Sequence, residues 1–236
     1  MNKLNILLGL LLYCHFYSQI VLPSGISDKE NYTYSRQYLD ATTTSNPDLK
    51  QIQSVSYFDG LGRPKQSVAI KASPTGNDVV AHIEYDGFGR QTKDFLPLPQ
   101  LNSSANGGAI FGTPSFAAYP SGEVVYSEKV LENSPLDRIQ QQYGAGESWR
   151  ANSKKTEFFY ETNGTEVKKY VTTFNYTTFK STLPTITNYA AETLYKNRIK
   201  DEDGNESIEY KNGEGQAILV RKVINATENA DTYYVY

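Results

Sequence analysis

The chain has 236 residues, 39% hydrophobic and 21% charged, which suits a folded protein of one or two domains with a sizeable core and excludes wholesale disorder. Its net charge of −3 is spread without long runs of one sign, so no basic stripe exists to neutralise phosphates, and nucleic acid is excluded as a main partner. Nineteen tyrosines, with many threonines and valines, tilt the composition toward an all-β chain.

The first element is a targeting segment. Lys3 supplies a positive start and Ile6 to Tyr13 an apolar run too short to span a bilayer, so residues 1–18 read as a signal peptide cleaved between Ser18 and Gln19. Cys14 keeps a lipoprotein alternative open, although Tyr13 stands where a lipobox needs a small residue. Cleavage at Ser18 would remove the only cysteine, leaving a mature chain without disulfides in an oxidising compartment. The expected location is secreted or cell-surface, with the periplasm as an alternative and no stable membrane span after cleavage.

Residues 19–50 read as an N-terminal arm, either extended or an edge strand, with Tyr32, Tyr34 and Tyr38 at alternating spacing. A domain over 51–153 follows. Gln51 to Phe58 alternates as a strand, Val68 to Ile70 lies in its hairpin partner, Ser73 to Asp78 is a turn, and Val79 to Tyr85 is the next strand.

One phrase is written twice here: Tyr57-Phe58-Asp59-Gly60-Leu61-Gly62-Arg63, then Tyr85-Asp86-Gly87-Phe88-Gly89-Arg90, with the second Asp 27 residues after the first. An Asp ending a strand accepts hydrogen bonds from N–H groups just ahead, and a following Gly reaches positive φ without a Cβ clash, so Asp-Gly-x-Gly reads as a hairpin turn. Recurrence of such a phrase marks a repeated supersecondary unit.

Beyond Arg90, Leu96-Pro97-Leu98-Pro99 favours extended backbone, and Asn102 to Tyr119 is a long Gly/Ser/Ala/Pro-rich loop, either functional or a mobile or packed surface loop. Glu123 to Glu132 is strand-like and leads into a turn or short helix start at Ser134 to Arg138; residues 143–153 form a connector around Trp149. The remainder, 154–236, reads as a β-hairpin region with degenerate copies of the phrase. Strands are expected at Thr156 to Tyr160, Val167 to Tyr176 and Ala191 to Ile199, with a two-residue hairpin turn at Asn163-Gly164. The phrase returns as Tyr210-Lys211-Asn212-Gly213-Glu214-Gly215-Gln216, where Asn and Gln replace Asp and Arg, keeping the hydrogen-bonding shape and losing the charge. With another turn at Asp203-Gly204-Asn205, Ile199 to Val223 reads as two successive hairpins.

The phrase resembles the YD repeat of bacterial Rhs-type proteins, roughly Tyr-x-Tyr-Asp-x-x-Gly-Arg, most closely at Tyr85 to Arg90. Tyr126 to Arg138, with Trp149 further on, is similar to an uncharacterised N-terminal domain that precedes such repeats in secreted proteins of Gram-negative bacteria. The resemblance implies a β-ribbon that winds into a hollow shell, which in several relatives encloses a C-terminal toxin. Asp59, Asp86 and Asn212 would then cap turns, Gly62, Gly89 and Gly215 supply backbone freedom, and Tyr57, Tyr85 and Tyr210 stack between coils.

Signals for other chemistry are weak. His82 is the only histidine of the expected mature chain, so zinc sites and Cys/His catalysis have no ligands and no cofactor is expected. Asp201-Glu202-Asp203-Gly204 fails as an EF-hand loop, because Ile199 and Tyr210 stand where carboxylates are needed, and reads as a β-turn. Glycosylation sequons, those at Asn31, Asn163 and Asn175 among them, are most simply chance in so Asn- and Thr-rich a chain.

Two functions follow. The first is a non-enzymatic scaffold, the front of a YD-repeat shell; the second is a secreted carbohydrate- or surface-binding β-module with a glycan or cell-surface ligand. Rings packed between strands favour the scaffold, and rings lined along an open face favour binding. Tyr234-Val235-Tyr236 overlays Ile83-Glu84-Tyr85, which leads to the expectation that a missing C-terminal repeat region, or a partner chain supplying it, continues the array.

Overall fold

A computed structural model describes residues 22–39, 50–101 and 106–236. The expected signal peptide, its cleavage point and Cys14 lie outside the described residues, as do 40–49 of the arm and 102–105 of the long loop.

The described chain is all-β, built from successive antiparallel hairpins. Its first strands are β1 (Asn31–Tyr38), β2 (Gln51–Phe58), β3 (Pro64–Ala69), β4 (Val79–His82), β5 (Lys93–Phe95) and β6 (Leu98–Pro99). Next come β7 (Tyr126–Leu131), β8 (Ile139–Tyr143), the short helix α1 (Glu147–Ala151) and β9 (Thr156–Thr162). The last are β10 (Lys168–Asn175), β11 (Lys180–Asn188), β12 (Tyr195–Lys200), β13 (Glu206–Lys211), β14 (Ala217–Val223) and β15 (Asn229–Tyr233). They fall into two compact units. One holds the described residues up to Ile83 with Pro97–Tyr119, and the other holds Glu84–Leu96 with Pro120–Tyr236.

The first unit is a five-stranded sheet in the order β1-β2-β3-β4-β6. Its core is one row across the strands: Val55 pairs with Val68, Val68 with Val80 and Val80 with Leu98, and all four are fully buried. β-Branched residues facing each other on one side of a pleated sheet fix its register, since a one-residue slip would turn the whole row to solvent. The described part of the long loop is packed over this sheet. At Gly108, with φ +86°, an added Cβ would lie 2.8 Å from Ile70 Cδ1 and 3.0 Å from Val55 Cγ2, so only glycine fits.

Buried polar side chains hold that loop. The Asp78 carboxylate, fully buried, accepts from the N–H groups of Lys71, Gly107 and Gly108 at 2.7–2.8 Å. Gln66 exchanges two bonds with the Phe111 backbone, and Gln100 accepts from Ser115 N–H. The Tyr57 hydroxyl donates to Gly108 O. Each loop amide so paired is one that burial would otherwise leave at a cost.

The second unit is an eight-stranded sheet in the order β15-β14-β13-β12-β9-β8-β7-β5. Its buried cluster is Val167, Leu194, Ile208, Tyr210, Ile218 and Leu219. Neighbours follow chain order except at β5 and β7, between which β6 belongs to the first sheet, and at β9 and β12, which pair directly while β10 and β11 form a two-stranded sheet of their own.

The hairpin expected at Asn163-Gly164 is therefore not formed: β9 pairs with β8 and β12, never with β10. Asn163 does a different job. Its buried side chain accepts from Thr193 and Leu194 N–H and donates to Ala190 O, while its backbone bonds Leu194 and Glu192. These bonds tie the start of the β10–β11 excursion to its end, so strand pairing resumes as if the excursion were absent. β11 and β8 were not anticipated, and the connector around Trp149 contains α1. No helix among the described residues is long and apolar enough to cross a membrane.

Candidate functional site: a turn used five times

The Asp59 turn joins β2 to β3. Asp59 N–H donates to Arg63 O at 2.9 Å and Gly62 N–H to Asp59 O at 3.0 Å, which closes a three-residue loop. Asp59 Oδ1 accepts from the N–H groups of Leu61 and Arg63, both at 2.9 Å, and Oδ2 accepts from Arg63 Nε at 2.8 Å. The fourth residue, Gly62, has φ +78°. This is a type I turn followed by a left-handed residue, one of the favoured ways to reverse an antiparallel pair.

The same bonds recur at Asp86 to Arg90: Asp86 Oδ1 accepts from Phe88 and Arg90 N–H at 2.9 Å and Oδ2 from Arg90 Nε at 2.8 Å, with Gly89 at φ +80°. They recur at Asn212 to Gln216, where Asn212 Oδ1 accepts from Glu214 and Gln216 N–H and its amide donates to Gln216 Oε1 at 2.8 Å. Neutral groups thus keep the pattern of the charged pair, as the sequence suggests.

Two further copies escaped the sequence reading as copies. Asp201 accepts from Asp203 and Asn205 N–H and from the Asn205 amide, with Gly204 at φ +89°, so the Asp-Glu-Asp-Gly stretch is a turn of this type. At Ser73 the hydroxyl accepts from Asn77 N–H at 2.8 Å, with Gly76 at φ +76°. The signal that finds all five is a short oxygen acceptor at the first position and glycine at the fourth.

The singled-out residues play unequal parts, and Gly62, Gly89 and Gly215 supply the backbone freedom expected of them. The glycines directly after the first residue, Gly60, Gly87 and Gly213, lie outside the left-handed region, with nothing within 4 Å of an added Cβ; the glycine the backbone requires is the later one, Gly62, Gly89 or Gly215. The three tyrosines are not equivalent. Tyr57 and Tyr210 precede their turns by two residues, lie in strands β2 and β13 and are buried, while Tyr85 precedes Asp86 by one, lies outside any strand and is half-buried. Tyr210 donates its hydroxyl to Glu166 at 3.0 Å, and burial pushes its phenol up.

The Asp86 turn, expected to join a hairpin, does not. β4 ends at His82, short of the expected Tyr85, with β3 and β6 on its two edges, and β5 begins at Lys93 and pairs with β7. Instead Arg90 Nη1 donates to Asp137 Oδ1 at 2.6 Å, which ties this copy to the turn at Ser134 to Arg138. There Arg138 Nε donates to both Glu132 oxygens at 2.9 and 3.0 Å, and Ser134 Oγ to Oε1 at 2.6 Å. The two stretches that carry the family resemblance thus meet side by side.

Electrostatics agree with the geometry. The Arg63 backbone N–H, then its guanidinium, holds the Asp59 carboxyl below its ordinary value, and Arg90 does the same for Asp86. The Arg138 guanidinium, helped by Ser134, lowers Glu132 to about 2. These carboxylates are anionic at neutral pH and occupied by turn donors, which suits holding backbone rather than exchanging protons with a substrate. Among the described residues no group of three or more His, Cys, Asp or Glu side chains gathers to hold a metal.

The chain is an all-β protein of antiparallel hairpins, four of which (β2–β3, β3–β4, β12–β13 and β13–β14) are closed by the same five-residue turn. It belongs to the family described as a domain of unknown function, DUF6443, which matches residues 30–162. No curated protein and no solved structure matches the chain.

Proposed function

We propose that the chain is a non-enzymatic scaffold, the N-terminal portion of a secreted shell built from Rhs-type YD repeats, of the kind that in relatives encloses a C-terminal toxin. The observation that carries this reading is the turn. Its side-chain acceptors are directed inward, at the backbone of their own loop, in all five copies. Two of the three repeat tyrosines are buried in the sheets rather than displayed, which supports a packing role over sugar stacking. Among the described residues β5 and β15 are the outermost strands of the second sheet, the places where a ribbon would add further strands.

The test is imaging of the exported protein recovered through a tag on this chain. The reading expects a hollow β-ribbon assembly into which this chain is built. Recovery of the chain as a free monomer, or bound to an oligosaccharide through its tyrosines, would overturn it.

A further inference from the structure

The β10–β11 hairpin is absorbed neither by the sheets nor by the repeated turn. Among the described residues its strands pair only with each other, and its base meets the second sheet in the edge-on contact of Tyr170 with Tyr233, ring centres 5.0 Å apart. A two-stranded hairpin alone is marginal in water. This one nevertheless exposes three aromatic side chains at its far end, with Tyr176 81%, Phe179 78% and Phe174 46% exposed.

Chemistry at that end narrows what covers it. The rings meet edge to face, Phe174 with Tyr176 at 84° and Phe174 with Phe179 at 70°, so they make a wedge rather than the flat platform on which a sugar stacks. Two of the loop's N–H groups are satisfied within it, Asn175 Oδ1 accepting from Thr177 and Thr178 at 2.9 Å, which lowers the cost of entering a water-poor medium. Phe179 holds this place at φ +50°, a backbone conformation in which Asn or Gly would be easier.

Charge points the same way. The whole chain is net negative, yet between Lys168 and Ala191 it carries three lysines and no carboxylate, with Lys180 directly beside Phe179. Aromatic side chains flanked by lysine settle at the boundary between lipid headgroups and acyl chains, the ring in the apolar layer and the ammonium against phosphate.

We propose that the tip of the β10–β11 hairpin is a membrane-surface anchor: Phe174, Tyr176 and Phe179 enter the headgroup–acyl boundary of an anionic lipid surface, and Lys180 contacts its phosphates. With one lysine at the tip, binding is reversible and falls with salt.

The experiment is flotation of the purified protein with vesicles of phosphatidylcholine alone or mixed with phosphatidylglycerol. The expected result is flotation with the anionic vesicles, at least tenfold weaker for the double variant Tyr176→Ser/Phe179→Ser, and for Lys180→Glu weakened on anionic vesicles only. Thermal midpoints of these variants should match the parent, since the side chains face solvent. Failure of the parent to float, equal flotation of the double variant, or binding to a purified polysaccharide or protein but not to vesicles would overturn the proposal.

Discussion

Substituting the two glycines of the first turn separately should move stability in opposite directions. Gly62 sits at φ +78° with nothing within 4 Å of an added Cβ, so Gly62→Ala meets no neighbour and pays only for left-handed backbone, about 1–2 kcal/mol. Gly60 has the same open surroundings but lies outside that region, so Gly60→Ala mainly removes freedom from the unfolded chain and stabilises by about 0.4–1 kcal/mol. The gap is roughly 2 kcal/mol, which at a urea slope of about 2 kcal/mol/M separates the midpoints by about 1 M. Equilibrium urea unfolding, followed by a signal from the first unit, reads it directly. Equal losses from both substitutions, or a neutral Gly62→Ala, would refute the turn geometry, because only backbone conformation distinguishes the two sites.

Removing the buried carboxylate in Asp78→Ala leaves three loop N–H donors without their acceptor and should cost roughly 2–4 kcal/mol by urea unfolding. Tyr210→Ala should cost about 3–5 kcal/mol, and Tyr85→Ala, at a half-buried site, less than half of that, in the same measurement. The Glu132 carboxyl, lowered in the folded state to about 2, contributes stability that is fully present above its ordinary value near 4.5 and is lost as pH falls through about 2. Carboxyl resonances followed by NMR should therefore show Glu132 titrating well below an ordinary glutamate, and Arg138→Ala should return it toward the ordinary range.

Local chemistry was legible in the sequence wherever one residue type had one reason to be present. Gln51 to Phe58 was read to its ends, because its alternation of Val55 and Tyr57 with polar neighbours is the pattern of a half-buried strand. The Asp-x-x-Gly turns are visible for the same reason, and Asn212 with Gln216 is a neutral version of Asp59 with Arg63 in both sequence and structure. Pairing over distance was not legible. Asn163-Gly164 carries a strong short-range hairpin signal, yet Asn163 bonds residues near 190–194, and no local pattern reveals that the excursion between Thr162 and Tyr195 closes there. β11 was hidden because Pro184 interrupts a Thr-rich run, and it falls where the β10–β11 register shifts. The buried Asp78, Gln66 and Gln100 sat unremarked in polar stretches, since their partners are loop amides 7 to 45 residues away.

Amide hydrogen exchange at the fifth residue of each turn, Arg63, Asn77, Arg90, Asn205 and Gln216, is the most direct measurement of whether one turn organises this protein. Each of these N–H groups donates to the side chain of its first residue at 2.8–2.9 Å. The expected result is slowed exchange at all five, lost at Arg63 alone in Asp59→Ala and at Arg90 alone in Asp86→Ala. Exchange at unprotected rates in the parent protein, or protection that survives removal of the acceptor, would contradict it.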